Sequence, residues 1–365
     1  MSKFSASAVG ADDPIACTGP CCGVSRRGFL ATFAAAGAAT TLPTATFAQT
    51  TTPVKRRVID VHHHYFPDVF KQSSAREGPL PPFVRDWSPQ RMLEEMDKNN
   101  IEKSVLSLAS VPVGWFRMTS DELRPIIRTC NEYAAKLVQD HKGRHGLFAY
   151  VSCKDVDGSL QEIAYAFDTL KADGIEMSTS FGDKWPGDPA FTPVFEELNR
   201  RKAIVYFHPL APFCCGNLVP GVQDSWIEYP YDTGRAILSL LFNGTLAKFR
   251  DIRWIFSHSG GAIPYLSHRI DYQSRPLKNL KEVAPDGVLA EFRKLHYETA
   301  NAASGPAIAG LLKLVPISQV MYGSDFPYVT SEYNLANLRA NGLSATDMTA
   351  IEYGNAEKLI PGLKS

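Results

Sequence analysis

From Val58 onward, short β-branched or aromatic runs alternate with longer stretches whose apolar residues recur at helical spacing. The short runs predict eight strands: Arg57–His62, Ser104–Leu108, His145–Val151, Gly174–Ser178, Ala203–His208, Ile252–Ser257, Leu295–Thr299 and Gln319–Gly323. The intervening patterns predict helices from Pro89 to Asn99, with Ser88 as cap, and over Asp121–Asp140, Ser159–Ala172, Pro189–Arg201, Tyr231–Phe249, Ala262–Asp271 and Pro306–Leu314. Helices near Leu335–Asn341 and Ala345–Leu359 close the chain, and the Pro-, Gly- and charge-rich stretch before Ser88 reads as a loop. Strands and helices alternating over about 300 residues suit a (β/α)8 barrel formed as one domain. The rival is a doubly wound open sheet, which often carries a Gly-rich phosphate loop after its first strand. Here the first strand runs into three histidines instead.

Four strands end on polar residues, in the runs RVIDVHHH, AIVYFHP, IRWIFSHSG and QVMYGSDFP. One histidine closing an apolar strand is readily a satisfied core group. Four such ends point to strand tips converging on one centre, at the carboxyl ends where barrels build their sites. Side chains alternate along a strand, so His62 and His64 share a face, and His63 points towards the outer helices or a loop. Two histidines so placed both reach one ion at about 2 Å. His208, followed by Pro209, supplies a third nitrogen, and Asp325 an oxygen. A shell of His62, His64, His208 and Asp325 suits Zn2+ with an open position, and Mn2+ is compatible with the same donors. His258 is read as a catalytic acid or base beside the ion, with ligand as the alternative. The Ser259-Gly260-Gly261 turn after it would let backbone amides approach a substrate anion.

Composition narrows the partners. Hydrophobic residues make up 44% of the 365, enough for a large core, and 38 Lys and Arg balance 38 Asp and Glu. That neutrality argues against nucleic acid or an anionic membrane as the main partner. Residues 1–48 differ from the rest: Ser25-Arg26-Arg27-Gly28-Phe29-Leu30 matches the twin-arginine export pattern, an Ala/Gly-rich stretch follows, and Thr46-Phe47-Ala48 offers small residues for cleavage. The expectation is a leader over 1–48, export to the periplasm by the twin-arginine machinery, and a catalytic domain over 49–365. The cysteines outside the leader (Cys130, Cys153, Cys214, Cys215) fit no zinc-finger spacing, and Cys214 and Cys215 are expected as free thiols in a loop, with a vicinal disulfide as the alternative.

In order, Asp60-Val61-His62-His63-His64, His208-Pro209, His258 to Pro264, Arg269-Ile270 and Gly323-Ser324-Asp325-Phe326-Pro327 resemble the amidohydrolase-related family typified by aminocarboxymuconate-semialdehyde decarboxylase. The stretch Glu228–Leu246 and the run His296-Tyr297-Glu298-Thr299-Ala300 look most like its 6-methylsalicylate decarboxylase-like subgroup, with Glu298 where relatives more often have Asp. The resemblance implies a barrel with one divalent metal, usually zinc, and often a homodimer. It also implies a role for Arg269 in gripping a substrate carboxylate, for which a planar guanidinium is suited. Arg85 and Trp87, in the loop after strand one, are candidates for a lid over an aromatic ring.

Two reactions fit such a shell. One is nonoxidative decarboxylation of a small aromatic or unsaturated carboxylic acid, with Asp325 or His258 exchanging a proton with the carbon that loses CO2. The other is hydrolysis of a lactone or related acyl or C–N bond by a metal-activated water. A non-catalytic metal- or ligand-binding protein on the same fold is the reading from another class. Arg269 weighs towards the decarboxylase.

Overall fold

A computed structural model of the chain describes residues 56–364; the leader expected over 1–48 lies outside them. Eight strands run parallel in sequence order: β1 (Val58–Tyr65), β2 (Ile101–Leu108), β3 (His145–Tyr150), β4 (Gly174–Ser178), β5 (Ile204–His208), β6 (Arg253–Phe256), β7 (His296–Glu298) and β8 (Val320–Met321). The last strand returns to the first: Val61 N donates to Tyr322 O at 3.0 Å, and His63 bridges to Phe326. This is the (β/α)8 barrel that the alternation predicted.

Helices fill the connections. Ser120–Asp140, with a capping box between Thr119 and Glu122, links β2 to β3, and Val156–Asp168 links β3 to β4. Thr192–Arg200, Asp224–Phe242, Ile263–Ser274 and Gly305–Leu314 occupy the next four connections. Ser88 caps Pro89–Lys98 as expected, its side chain accepting from Arg91 N. The loop expected before Ser88 contains two short helices, Asp68–Ser74 and Pro82–Arg85. The helix expected from Tyr231 begins seven residues earlier, at Asp224, with Pro230 inside it, and ends at Phe242; Gly244, with a φ of 77°, separates it from a short helix, Thr245–Lys248. Among the described residues no helix is long and apolar enough to cross a membrane.

The barrel interior is a packed core, built from side chains such as Val61, Val105, Phe148, Tyr206, Ile255 and Met321. Its amino-terminal mouth is plugged by Leu359, Ile360 and Leu363. Leu359 O accepts from Arg253 at the start of β6, and Leu363 O from Lys103 near the start of β2. The polar strand tips therefore lie at the opposite end.

One irregularity matters to those tips. Against β2, Asp60 pairs with Ser104 but His63 with Leu106, so β1 carries one extra residue between them. Val61 and His62 are adjacent, yet Val61 belongs to the interior core and His62 to the histidine cluster above it. Simple alternation would put them on opposite faces. The bulge resets the phase, and strict alternation resumes only at His62.

Cys214 and Cys215 correct an expectation: they are joined to each other rather than free. They lie in the turn-rich connection between β5 and Asp224, where no strand pairing holds the intervening peptide extended. Cys130 and Cys153 are buried free thiols.

Candidate metal centre and substrate cavity

The residues expected at strand tips converge. His62 Nε2 stands 2.8 Å from His64 Nε2 and 3.3 Å from Asp325 Oδ1, and His64 Nε2 is 3.0 Å from the same oxygen. His208 packs edge-on against both, with ring centroids 5.0 and 4.8 Å away. His258 completes the cluster. His62, His208, His258 and Asp325 each offer an atom within 4.8 Å of the others. The centre thus brings together five groups, with His258 as near as the four read as ligands. His63 does not join them: its Nδ1 faces Asp60 at 2.8 Å and its ring stacks on Phe326.

The tautomers suit a cation. His64 Nδ1 faces Ser107 O, His208 Nδ1 faces Pro209 O, and His62 Nδ1 faces a Glu298 oxygen at 2.8 Å. Each δ nitrogen therefore donates its hydrogen to an acceptor, which turns the ε nitrogens towards one another and towards a carboxylate. Among the described residues, His208 Nε2 is buried without a hydrogen-bond partner. Histidine ε nitrogens and a carboxylate oxygen gathered this closely form a donor set that fits a divalent metal.

Electrostatics follow from the same contacts. Burial would lower the His62 pKa, but the Glu298 and Asp325 carboxylates outweigh it and push it up to about 10. Burial lowers His64, and burial together with the neighbouring histidines holds His208 well below the usual range. Burial would raise Asp325, but the His62 charge and bonds from His258, His62 and His64 keep it well below ordinary carboxylates.

Glu298, at the end of β7, acquires a role the sequence reading did not assign. One oxygen accepts from His62 Nδ1 and from His258 N, both at 2.8 Å, and the other accepts from Ala300 N at 2.6 Å. Gly323 makes room for it: a Cβ there would lie 2.8 Å from His62 Cβ and overlap the Glu298 carboxylate. Asn301 was also missed; its Nδ2 donates to Asp325 Oδ2 at 2.6 Å, the oxygen that faces His258 Nε2 at 3.4 Å. An acid closing β7 was the available signal for Glu298, whereas a polar residue in a loop gave none for Asn301.

The loops after β6, β7 and β8 turn through left-handed residues at the centre: His258 (φ 52°), Ser259 (56°), Asn301 (52°) and Asp325 (64°). Such conformations are uncommon outside glycine and tend to gather at functional sites. Gly260 and Gly261 serve packing here. A Cβ on Gly260 would lie 2.6 Å from the Tyr297 ring, and one on Gly261 would overlap Pro230 O.

A cavity of about 1010 Å3 opens over His208, His258 and Asp325, walled by Tyr229, Tyr328 and Phe83 among others. Among the described residues, none that lines it is Arg or Lys. Arg85 is exposed and paired with Asp86 at 2.8 Å, and Trp87 is buried in the outer core against Phe66. Arg269 is exposed on the helix Ile263–Ser274. Within one chain, none of these three lines the cavity.

The family model described as amidohydrolase matches residues 59–362. The chain is similar to 6-methylsalicylic acid decarboxylase acuB of Aspergillus aculeatus, 32% identical over 278 residues, 74% of this chain and 84% of that one. It is 29% identical over 314 residues to the 6-methylsalicylic acid decarboxylase of Penicillium expansum, 84% of this chain and 97% of that one. Its fold is similar to a dihydroxybenzoic acid decarboxylase from a Polaromonas species, solved with manganese and the inhibitor 2-nitroresorcinol. The TM-score is 0.73 at 19% identity, over 85% of this chain and 98% of that one.

Proposed function

The chain belongs to the amidohydrolase family, and from that premise we propose that it is a metal-dependent nonoxidative decarboxylase, a carbon–carbon lyase acting on a small hydroxylated aromatic carboxylic acid. The observation that carries this reading is the Asp325–His258 pair beside the three histidine ε nitrogens, at the floor of an aromatic-walled cavity. Relatives that act on 6-methylsalicylic acid support it.

A bound divalent ion would supply positive charge to hold the substrate's carboxylate or adjacent hydroxyl, and we assign zinc, with manganese the alternative. The chain's own residues do the rest. Tyr328, whose ring meets His64 edge-on at 5.6 Å, and Tyr229 wall the ring in and exclude water. Asn301 fixes Asp325 by its outer oxygen. His258, or Asp325 drawing the proton from His258 through their 3.4 Å contact, then delivers a proton to the ring carbon bearing the carboxylate. The bond to the carboxylate breaks, its electron pair restores the aromatic ring, and CO2 leaves; one proton enters for each CO2 lost.

The test is CO2 release from a panel of hydroxybenzoic acids, run beside a lactone panel with metal-loaded protein. In D2O the decarboxylated ring should carry one deuterium at the vacated carbon. Turnover of lactones alone would reject the reading. We further propose that residues 1–48 are a twin-arginine leader taking the folded enzyme to the periplasm, on the Ser25–Leu30 motif. A homodimer in which Arg269 reaches the neighbouring subunit's cavity would supply the cation that the cavity wall of one chain lacks.

A further inference from the structure

The cavity is much larger than the ring the centre would process. A single benzene ring is accommodated by about 150 Å3, against about 1010 Å3 here. Its two ends also differ in chemistry. At the inner end, polar groups from Ser110, Tyr229 and Asn301 stand with His208, His258 and Asp325. At the outer end, Trp226, Pro264, Tyr265, Pro306, Ala307 and Gly310 bring together three helices, Asp224–Phe242, Ile263–Ser274 and Gly305–Leu314. Gln223 and Ser225 are the polar exceptions there.

These outer side chains are not spare core. Trp226 is 65% and Tyr265 89% exposed. Exposed rings gathered at one cavity mouth mark a surface that gains from being covered. The outer end is also continuous with the centre. On one wall the rings step outward from His64 to Tyr328 at 5.6 Å, and from Tyr328 to Phe83 at 5.0 Å. On the other wall Tyr229 and Trp226 lie one helical turn apart. Where the two lining helices meet, Gly310 faces Pro264, leaving only ordinary contact space for a Cβ, 3.6 Å from Pro264 Cβ.

We infer that the outer end is a second subsite, built for an apolar substituent on the aromatic acid, such as an alkyl chain of several carbons or a second aryl ring. The inference rests on the decarboxylase reading for the acid's inner end, and it narrows the substrate class to aromatic acids with an extended apolar arm. Water leaving the exposed rings and the arm together provides the driving force.

The experiment uses metal-loaded enzyme and a series of 2-hydroxybenzoic acids carrying methyl, propyl, pentyl or heptyl at the 6-position. Both kcat/KM for CO2 release and the binding constant by calorimetry are measured. Each methylene buried should improve binding by about fourfold, so pentyl should exceed methyl by at least about tenfold. In A307F, which fills the outer end, the pentyl-to-methyl ratio should collapse towards one; A307L should lower it less. A flat or falling series in the wild type overturns the inference, as does a ratio unchanged in A307F. If no acid is turned over yet affinity still climbs with chain length, the subsite stands and the decarboxylase reading falls.

Discussion

Glu298 holds His62 by the ring nitrogen that faces away from the metal centre, at 2.8 Å, and through the same oxygen it fixes the backbone amide of His258. One carboxylate thus sets the tautomer of His62, the proposed ligand, and the position of His258, the proposed acid–base residue. Removing such an orienting partner typically costs 10–100-fold in metal affinity. E298A should therefore lose the metal to a chelator about 10–100-fold more readily than wild type. E298Q, which keeps an acceptor without the charge, should fall between them. Chelator competition followed by native mass spectrometry measures it, and equal metal retention in E298A would remove Glu298 from this role.

Loss of metal should follow the geometry of β1 rather than the run of histidines. H62A and H64A should each be purified with little metal, whereas H63A, whose ring lies between Asp60 and Phe326, should keep about one ion per chain. Elemental analysis of the three preparations decides it.

His258 separates chemistry from binding. On the proposed shell of His62, His64, His208 and Asp325, H258A should retain metal yet lose kcat by about 10²–10⁴-fold. Metal content and turnover must be read on the same preparation, since an apo H258A would make the residue a ligand.

Metal loading should release acid. Without an ion, His62 is pushed up to about 10 and is protonated at neutral pH. A ligand must offer its lone pair, so binding expels that proton. Adding Zn2+ to apoprotein at pH 7.5 in weak buffer should release close to one proton per site, and H62A should release none of it.

His145 gives a stability prediction far from the centre. Buried at the start of β3, its pKa is lowered to about 3, first by burial and then by neighbouring His63, His141 and Arg144. The folded value lies below the unfolded value of about 6.5. The stability is therefore fully present above pH 6.5 and is lost as pH falls towards 3. At pH 5 the unfolded chain gains a proton that the folded chain refuses, a loss of about 2 kcal/mol. H145Q should be less stable at pH 7.5, but its unfolding free energy should fall less steeply between pH 6.5 and 4.5.

The order of strands and the five converging residues were legible because buried strands are apolar until their tips, so each polar tip stands out. The helix carrying Trp226 and Tyr229 was not, because Pro230 reads as a helix breaker. In the fold Pro230 sits within the helix, and its carbonyl accepts Ala262 N, closing the next connection. Four residues of the cavity wall, Ser225, Trp226, Tyr229 and Pro230, were hidden by that one residue. Glu298 and Asn301 were missed for another reason: they act on the ligands from β7 and its loop, and only tertiary contact shows which histidine or carboxylate a nearby acid or amide will meet. The state of Cys214 and Cys215 depended on how a loop turns, which hydropathy does not record.

The extra residue in β1 makes the signature of this chain a matter of phase as well as of letters. Pair β1 with β2 in strict alternation from Ile59, with no extra residue between Asp60 and His63, and every histidine would still be there, in the same order and with the same neighbours. The strand would nevertheless arrive half a pleat early, turning His62 and His64 outward and swinging His63 in. A search by motif would still recognise such a protein, yet it would bind no ion. For lineages descended from this barrel, loss of the bulge can silence the centre while every proposed ligand remains written in the gene.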